Sequence, residues 1–295
     1  MLKYLVTFCL SIVLCGCSDV RINTGIGMRD PFVAKIDNSY VLTGTLGDRE
    51  VLAFTSPDLQ NWSEPVSVFT PNPSFWGTKS TFWAPEIFEY QGGYYIFETF
   101  EDNAGKGVGT LRLNGSQFVP NSGKLTPPDK NFCIDGTLLM VGNEPWMLYT
   151  DQGIDGVLMA CALNNSLSGV ISPSVPIFSA VDCSWMVRHP DGRAILDGPQ
   201  AFWAPNGKLY ILWSTFKSGT TYCVAQTRVE SINPLILTHA NTPLFEDDGG
   251  HGMIFQDFSG LFWLSLHTPN RNPPYRAVFV NVVFENDWFK VRVVQ

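Results

Sequence analysis

Along this chain, apolar side chains come in short runs closed by Gly, Asn or Asp, and the runs come in pairs. RDPFVAKIDNSYVLTGT, APEIFEYQGGYYIFETF, IDGTLLMVGNEPWMLYT, LDGPQAFWAPNGKLYILWST and GHGMIFQDFSGLFWLSLHT share one order. Each opens with Asp, Glu or His beside Pro or Gly, passes through a short apolar strand, turns on Asn or Gly, and returns in a strand rich in Tyr, Trp, Leu and Ile. Paired apolar runs around a tight turn predict β-hairpins. Nothing sustains the apolar spacing of a long amphipathic helix, and the 26 Gly and 20 Pro would interrupt one.

The hairpins recur at a nearly constant interval. With Asp30, Glu86, Asp135, Asp197 and His251 as anchors, the spacings are 56, 49, 62 and 54 residues. Units of about 55 residues fit four-stranded blades, each too thin to bury its own faces and therefore packed on its neighbours. The predicted fold is all-β, a five-bladed β-propeller. REVLAFTSPDLQNWSEP and TTYCVAQTRV supply equivalent further strands in the first and fourth units. A two-sheet sandwich would not explain one anchor per unit. Because the first strand of each blade lines the axis of a propeller, the anchors are expected to converge at one end of the channel.

Composition refines this reading. A content of 45% hydrophobic and 13% aromatic residues supplies a large core, and a net charge of −8 argues against nucleic acid or an anionic lipid surface as partner and suits a neutral substrate. The first residues stand apart. MLKYLVTFCLSIVLCGC carries Lys3, an apolar run from Tyr4 to Leu14, then Cys15-Gly16-Cys17. That run is too short to span a bilayer, so residues 1–16 read as a secretion signal. The Leu-Cys-Gly-Cys ending resembles a bacterial lipobox, which implies a lipid on Cys17, residues 17–26 as an anchored segment and 27–295 as the propeller. The chain is then expected to be exported and held on a bacterial membrane, in the periplasm or at the cell surface; an ordinary secretory signal is the alternative. Cys133, Cys161, Cys183 and Cys223 lack zinc-ligand spacing and are expected to be buried thiols.

Three Asp residues converging on one point suit either hydrolysis between carboxyl groups or cation binding. Glycoside cleavage needs an acid for the leaving oxygen and a base for water, and a third carboxylate near the acid raises its pKa by like-charge repulsion. RDPFV, FWAPEI, CIDGTLLM…PWMLYT, LDGPQ…GKLYILWSTF and DDGGHGMIF resemble, in order and spacing, the motifs of glycoside hydrolase family 43, whose members are five-bladed propellers. The resemblance covers about residues 27–270. It implies an inverting enzyme that releases terminal pentosyl units, α-L-arabinofuranosyl above all. Other specificities of the family, β-xyloside or galactofuranoside cleavage, stay open beside it, as does a non-catalytic carbohydrate-binding lipoprotein.

By the same resemblance Asp30 is the general base, Asp135 tunes and orients the acid, and Asp197 is the general acid where the family usually has Glu. Alternatives to Asp197 as acid are Glu86, a water, or lost catalysis. Phe82, Trp83, Glu86 and Trp185 are candidates for contact with sugar. His251 is placed near a central Ca²⁺ that the family often carries. The expected partner is an arabinose- or xylose-containing carbohydrate, bound by a monomer.

Overall fold

The computed structural model describes residues 20–47, 49–79 and 82–292. The signal segment and Cys17 lie outside them. Among the described residues the chain forms five antiparallel sheets arranged as five propeller blades, four of them meanders in sequence order and the fifth a meander joined by an N-terminal strand. The innermost strands are Arg29–Ile36, Trp83–Tyr90, Cys133–Val141, Asp197–Trp203 and Gly250–Gln256. Each pairs with a second strand: Ser39–Thr45, Gly93–Asp102, Glu144–Gln152, Leu209–Ser218 or Phe262–Thr268.

Both faces of a blade are buried, which explains the continuous apolar runs. Along Leu209–Ser218, Leu209, Ile211 and Trp213 pack toward blade 3 while Tyr210 and Leu212 pack toward blade 5. Successive side chains of a strand point to opposite faces, so apolar residues must fill both registers. The result is one apolar cluster per joint between blades, for example Phe97, Val108, Leu138 and Met147 between blades 2 and 3. Cys133, Cys161, Cys183 and Cys223 are buried free thiols, as the sequence led us to expect.

The ring closes on blade 5. Its third strand, Arg276–Glu285, carries two strands along one outer edge: Trp288–Val291 against residues 282–285, and Arg21–Asn23 against residues 278–280. The Asn286-Asp287 turn between Glu285 and Trp288 has both residues at positive φ, the conformation of a two-residue hairpin loop. The boundary expected at residue 27 is thereby corrected. Residues 21–23 are part of the propeller, because an unpaired edge on the closing blade would expose its backbone donors and acceptors.

All five innermost strands begin with the same irregularity. The register slips between Arg29 and Phe32, Trp83 and Glu86, Ile134 and Thr137, Asp197 and Gln200, and Gly250 and Met253. In each bulge the second residue is left-handed: Asp30 (φ 52), Ala84 (φ 51), Asp135 (φ 56), Gly198 (φ 53) and His251 (φ 51). For residues other than Gly this strain costs about 1–3 kcal/mol and persists only where surroundings enforce it.

Here the enforcement is a hydrogen bond from the strained residue's amide to the preceding blade. Ala84 N donates to Thr45 Oγ1 (2.8 Å), Asp135 N to Thr99 Oγ1 (2.8 Å), His251 N to Ser214 Oγ (2.8 Å) and Asp30 N to His267 Nδ1 (3.2 Å). Gly198 breaks the pattern: its amide donates to the Asp135 carboxylate (2.9 Å). Thr150, the residue equivalent to those four acceptors, keeps a buried hydroxyl without a partner.

Candidate active site

These bulges define where the site can be. A pocket of about 410 Å³ opens over them, lined by Arg29, Asp30, Thr45, Trp83, Ile134, Asp135, Asp197, Tyr222 and His251. Asp30, Asp135 and Asp197 therefore share one hollow at the end of the channel. The repeat places them differently from the anchor alignment, however. Asp30, Asp135 and His251 are equivalent, whereas Asp197 lies one residue before the strained position of its blade, and Glu86 two after it. Asp197 and Glu86 are not equivalents of the other anchors; their matching acidity aligned them, while the backbone repeat follows the bulge.

Asp30 is held on both oxygens. Oδ2 accepts from Thr45 Oγ1 at 2.7 Å, and Oδ1 lies 3.2 Å from His251 Nδ1. Burial alone would raise its pKa, but the charges of His251 and Arg29 and the Thr45 hydroxyl outweigh burial and hold the carboxyl below its ordinary value. His267 is different. Its Nδ1 accepts the Asp30 amide, Nε2 faces Asn270 Oδ1 at 3.1 Å, and burial pushes the ring down to about 4, so it is neutral. Its 3.4 Å approach to Asp30 Oδ1 is consequently a contact and not an ion pair.

Asp197 sits in the opposite environment. Tyr222 donates its hydroxyl to Oδ2 at 3.0 Å and Gln152 donates an amide N–H to Oδ1. Burial, then the nearby charge of Asp135, pushes Asp197 up to about 7. Burial likewise raises Asp135, whose Oδ2 accepts from Gly198 N and lies 3.9 Å from His251 Nδ1. Asp135 and Asp197 crowd each other, so the two titrate as a pair, with both carboxyls raised. The pocket thus holds one carboxylate kept charged and one carboxyl kept protonated near neutrality, the division of labour that acid–base chemistry requires.

The glycines around the site are there for clearance. A Cβ on Gly250 would stand 2.3 Å from Tyr222 Cε1, and one on Gly198 2.7 Å from the His251 ring.

The candidate sugar contacts fare unevenly. Trp83 lines the pocket, with Lys106 Nζ over its ring at 4.4 Å. Phe82 does not reach it: the side chain is 2% exposed and stacks among Phe69, Phe75 and Phe100 between blades 1 and 2. Trp185 is also displaced, donating its indole N–H to Ala240 O (2.8 Å) and packing on the core between blades 3 and 4. Glu86 is buried outside the lining, and burial pushes it up to about 8; it is a neutral group of the core and not a contact for sugar.

His251 lines the pocket. Its Nδ1 faces Asp30 and Asp135, and these acids raise its pKa against the opposing effect of burial. A ring carrying a proton toward carboxylates has no lone pair to give there, and Ca²⁺ prefers oxygen donors. Among the described residues no group of three His, Cys, Asp or Glu side chains is arranged to hold a metal. No step below passes through a metal.

Residues that sequence reading left without a role complete the site: Arg29, Thr45, Gln152, Tyr222 and His267. Thr45 and His267 occupy the acceptor position opposite the bulge, so a Thr, Ser or His near the end of each second strand was the available signal. Gln152 and Tyr222 had none.

A five-bladed propeller with three carboxyl groups, one held charged and one raised, at one end of its channel has the arrangement that glycoside hydrolysis calls for. The profile of glycosyl hydrolases family 43 matches residues 26–289, and the chain belongs to that family. It is 29% identical to the endo-arabinase from Bacteroides thetaiotaomicron VPI-5482, whose structure superposes with a TM-score of 0.81 over 90% of this chain and 98% of that one. It is 22% identical to the extracellular endo-α-(1→5)-L-arabinanase 1 of Bacillus subtilis (strain 168), over 75% of this chain and 71% of that protein. With the α-L-arabinofuranosidase 43 of Humicola insolens the identity is 25%, over 73% of this chain but only 47% of that protein.

Proposed function

We propose that this glycosidase hydrolyses α-L-arabinofuranosyl linkages with inversion, releasing terminal units from arabinose-containing glycans. The observation that carries the reading is the convergence of Asp30, Asp135 and Asp197 on one pocket, with Asp135 fixed against the backbone beside Asp197; the surroundings hold Asp30 down and push Asp197 up. Asp197 gives its proton to the glycosidic oxygen as the bond from that oxygen to the anomeric carbon breaks. Asp30 takes a proton from water, whose oxygen bonds to the anomeric carbon from the opposite face. Asp135 keeps the acid protonated by its charge, and Trp83 offers a flat apolar wall for the sugar ring.

Arabinose as the sugar is supported by the names of the three relatives above. Two of them are endo-acting, which favours internal cleavage as the second reading. The test is digestion of linear α-1,5-arabinan by wild type, Asp30→Asn and Asp197→Asn, with chromatography of products and NMR of the first-formed anomer. Arabinose released first as the β-anomer, with losses of about 10²–10⁴-fold in both variants, is the expected result. Oligosaccharides as first products would select the endo reading, and the α-anomer would refute inversion. Equal turnover by the variants, or none by wild type on arabinosides and xylosides, would refute the assignment. Export, a lipid on Cys17 and a monomeric state belong to the same proposal; mass spectrometry of the mature N-terminus checks the lipid.

A further inference from the structure

Asp197 and Tyr222 also line a second recess of about 170 Å³, together with Arg29, His189, Arg193, Ile195, Phe216 and Asn270. Asp30 and Asp135 are absent from that lining, so the recess lies on the acid's side of the site. In glycoside hydrolysis the acid faces the leaving oxygen, and the recess accordingly receives the part of the glycan that departs. Its lining holds two arginines in a chain whose net charge is −8, and Asp191, 2.7 Å from Arg193 and 3.1 Å from His189, stands beside it as their counter-charge. Two guanidinium groups and an imidazole meet there, and the lone carboxyl of the lining is Asp197, itself pushed up to about 7.

The His189–Arg193 turn presents these groups. His189 N donates to Arg193 O and Gly192 N to His189 O, while the His189 ring rests on Phe216 at 5.0 Å. Asp191 grips Arg193 through Nε (2.9 Å) and Nη2 (2.7 Å), but Asp191 does not line the recess. That grip uses one edge of the guanidinium. Nη1 has no hydrogen-bond partner among the described residues, and Arg193 remains 39% exposed at its side chain. A planar cation held on one edge and open on the other is suited to a second carboxylate. Arg29 faces it from the inner strand of blade 1, oriented by Asn270 Oδ1 at 3.0 Å and lying over Tyr275 at 4.8 Å.

We propose that this recess binds the carboxylate of a hexuronate in the leaving portion of the substrate, so that the enzyme prefers linkages next to acidic sugar. The proposal rests on Asp197 being the acid. It departs from the neutral substrate that net charge alone led us to expect, because recognition is set by the charges at the recess and not by their sum over the chain.

The test titrates the wild-type protein with D-galacturonate and with D-galactose by NMR at low salt. It also compares kcat/KM for arabino-oligosaccharides whose leaving end carries one or the other sugar. A preference of about tenfold or more for the uronate is expected, falling as salt rises to about 0.5 M. Arg193→Gln should abolish the preference, and Arg193→Lys should restore part of it. Equal binding of both sugars, or a preference that survives Arg193→Gln, overturns the proposal. Cleavage of neutral arabinan without uronate preference refutes the recess and leaves the hydrolase reading intact. Arg193-dependent uronate binding without any turnover does the reverse.

Discussion

Asp197→Asn should remove activity and yet stabilise the fold above neutral pH. The native carboxyl is pushed from 3.8 up to about 7, so the folded chain binds this proton more tightly than the unfolded chain. A carboxyl raised in this way leaves stability intact below about pH 4 and withdraws it progressively as pH rises through 7. A shift of about three units, at 1.36 kcal/mol each, sets an upper bound of about 4 kcal/mol at alkaline pH. Relaxation around the buried charge reduces this, and about 2–4 kcal/mol is a reasonable range. The amide preserves the local bonding: its oxygen accepts from Gln152, and its NH₂ donates to the Tyr222 oxygen, which reverses that hydrogen bond.

The assay is thermal unfolding of wild type and Asp197→Asn by circular dichroism at pH 4, 6 and 8. A gain of about 5–10 °C is expected at pH 8, shrinking toward zero at pH 4. A variant less stable than wild type at pH 8, or a difference independent of pH, would refute the claim that a buried, proton-holding carboxyl occupies this position.

Two further outcomes follow from the same contacts. The pH profile of kcat/KM should have its alkaline limb near pH 7, where Asp197 loses its proton, and its acid limb below about 4, where Asp30 gains one; Asp135→Asn should move the alkaline limb to lower pH, and an unmoved limb would remove Asp135 as the tuning charge. Gly250→Ala places a Cβ 2.3 Å from Tyr222 and should lower kcat more than tenfold with little change in KM. Tyr222→Phe should act in the same direction and shift the alkaline limb upward, because the lost hydrogen bond favoured the charged acid; a wild-type profile in both would show that Tyr222 does not position Asp197.

The fold was legible because propeller blades bury both faces, which leaves apolar hairpins at a regular interval. The three carboxyl groups were legible because each sits beside Pro or Gly at the mouth of an inner strand. Their alignment was not. The true equivalents, Asp30, Ala84, Asp135, Gly198 and His251, are spaced 54, 51, 63 and 53 residues apart and share a backbone conformation instead of a charge. Each is followed by Pro or Gly, and that mark would have found the register had side-chain acidity not drawn attention first. Phe82 and Trp185 were misplaced for a related reason. An aromatic that precedes an inner strand can turn toward the pocket or into a buried joint between blades, and only packing decides which.

The exception in the ring of inter-blade hydrogen bonds bears on the proposal that an Asp is the acid here. At four joints a Thr, Ser or His of the second strand accepts the strained amide. At the joint between blades 3 and 4 the Asp135 carboxylate takes over, and Thr150 is left with an unpaired hydroxyl. The amide it holds belongs to Gly198, the residue after Asp197. The charge that raises the acid's pKa is thereby tied to the acid's own backbone, and their separation is set by one peptide step instead of by two side-chain torsions. A shorter acid on a backbone gripped this closely has fewer ways to miss its target, since Asp has one rotatable bond fewer than Glu and both its oxygens already have partners. Lengthening it by Asp197→Glu would break those contacts, so the site is built around the shorter side chain, as the proposal that Asp197 is the acid requires.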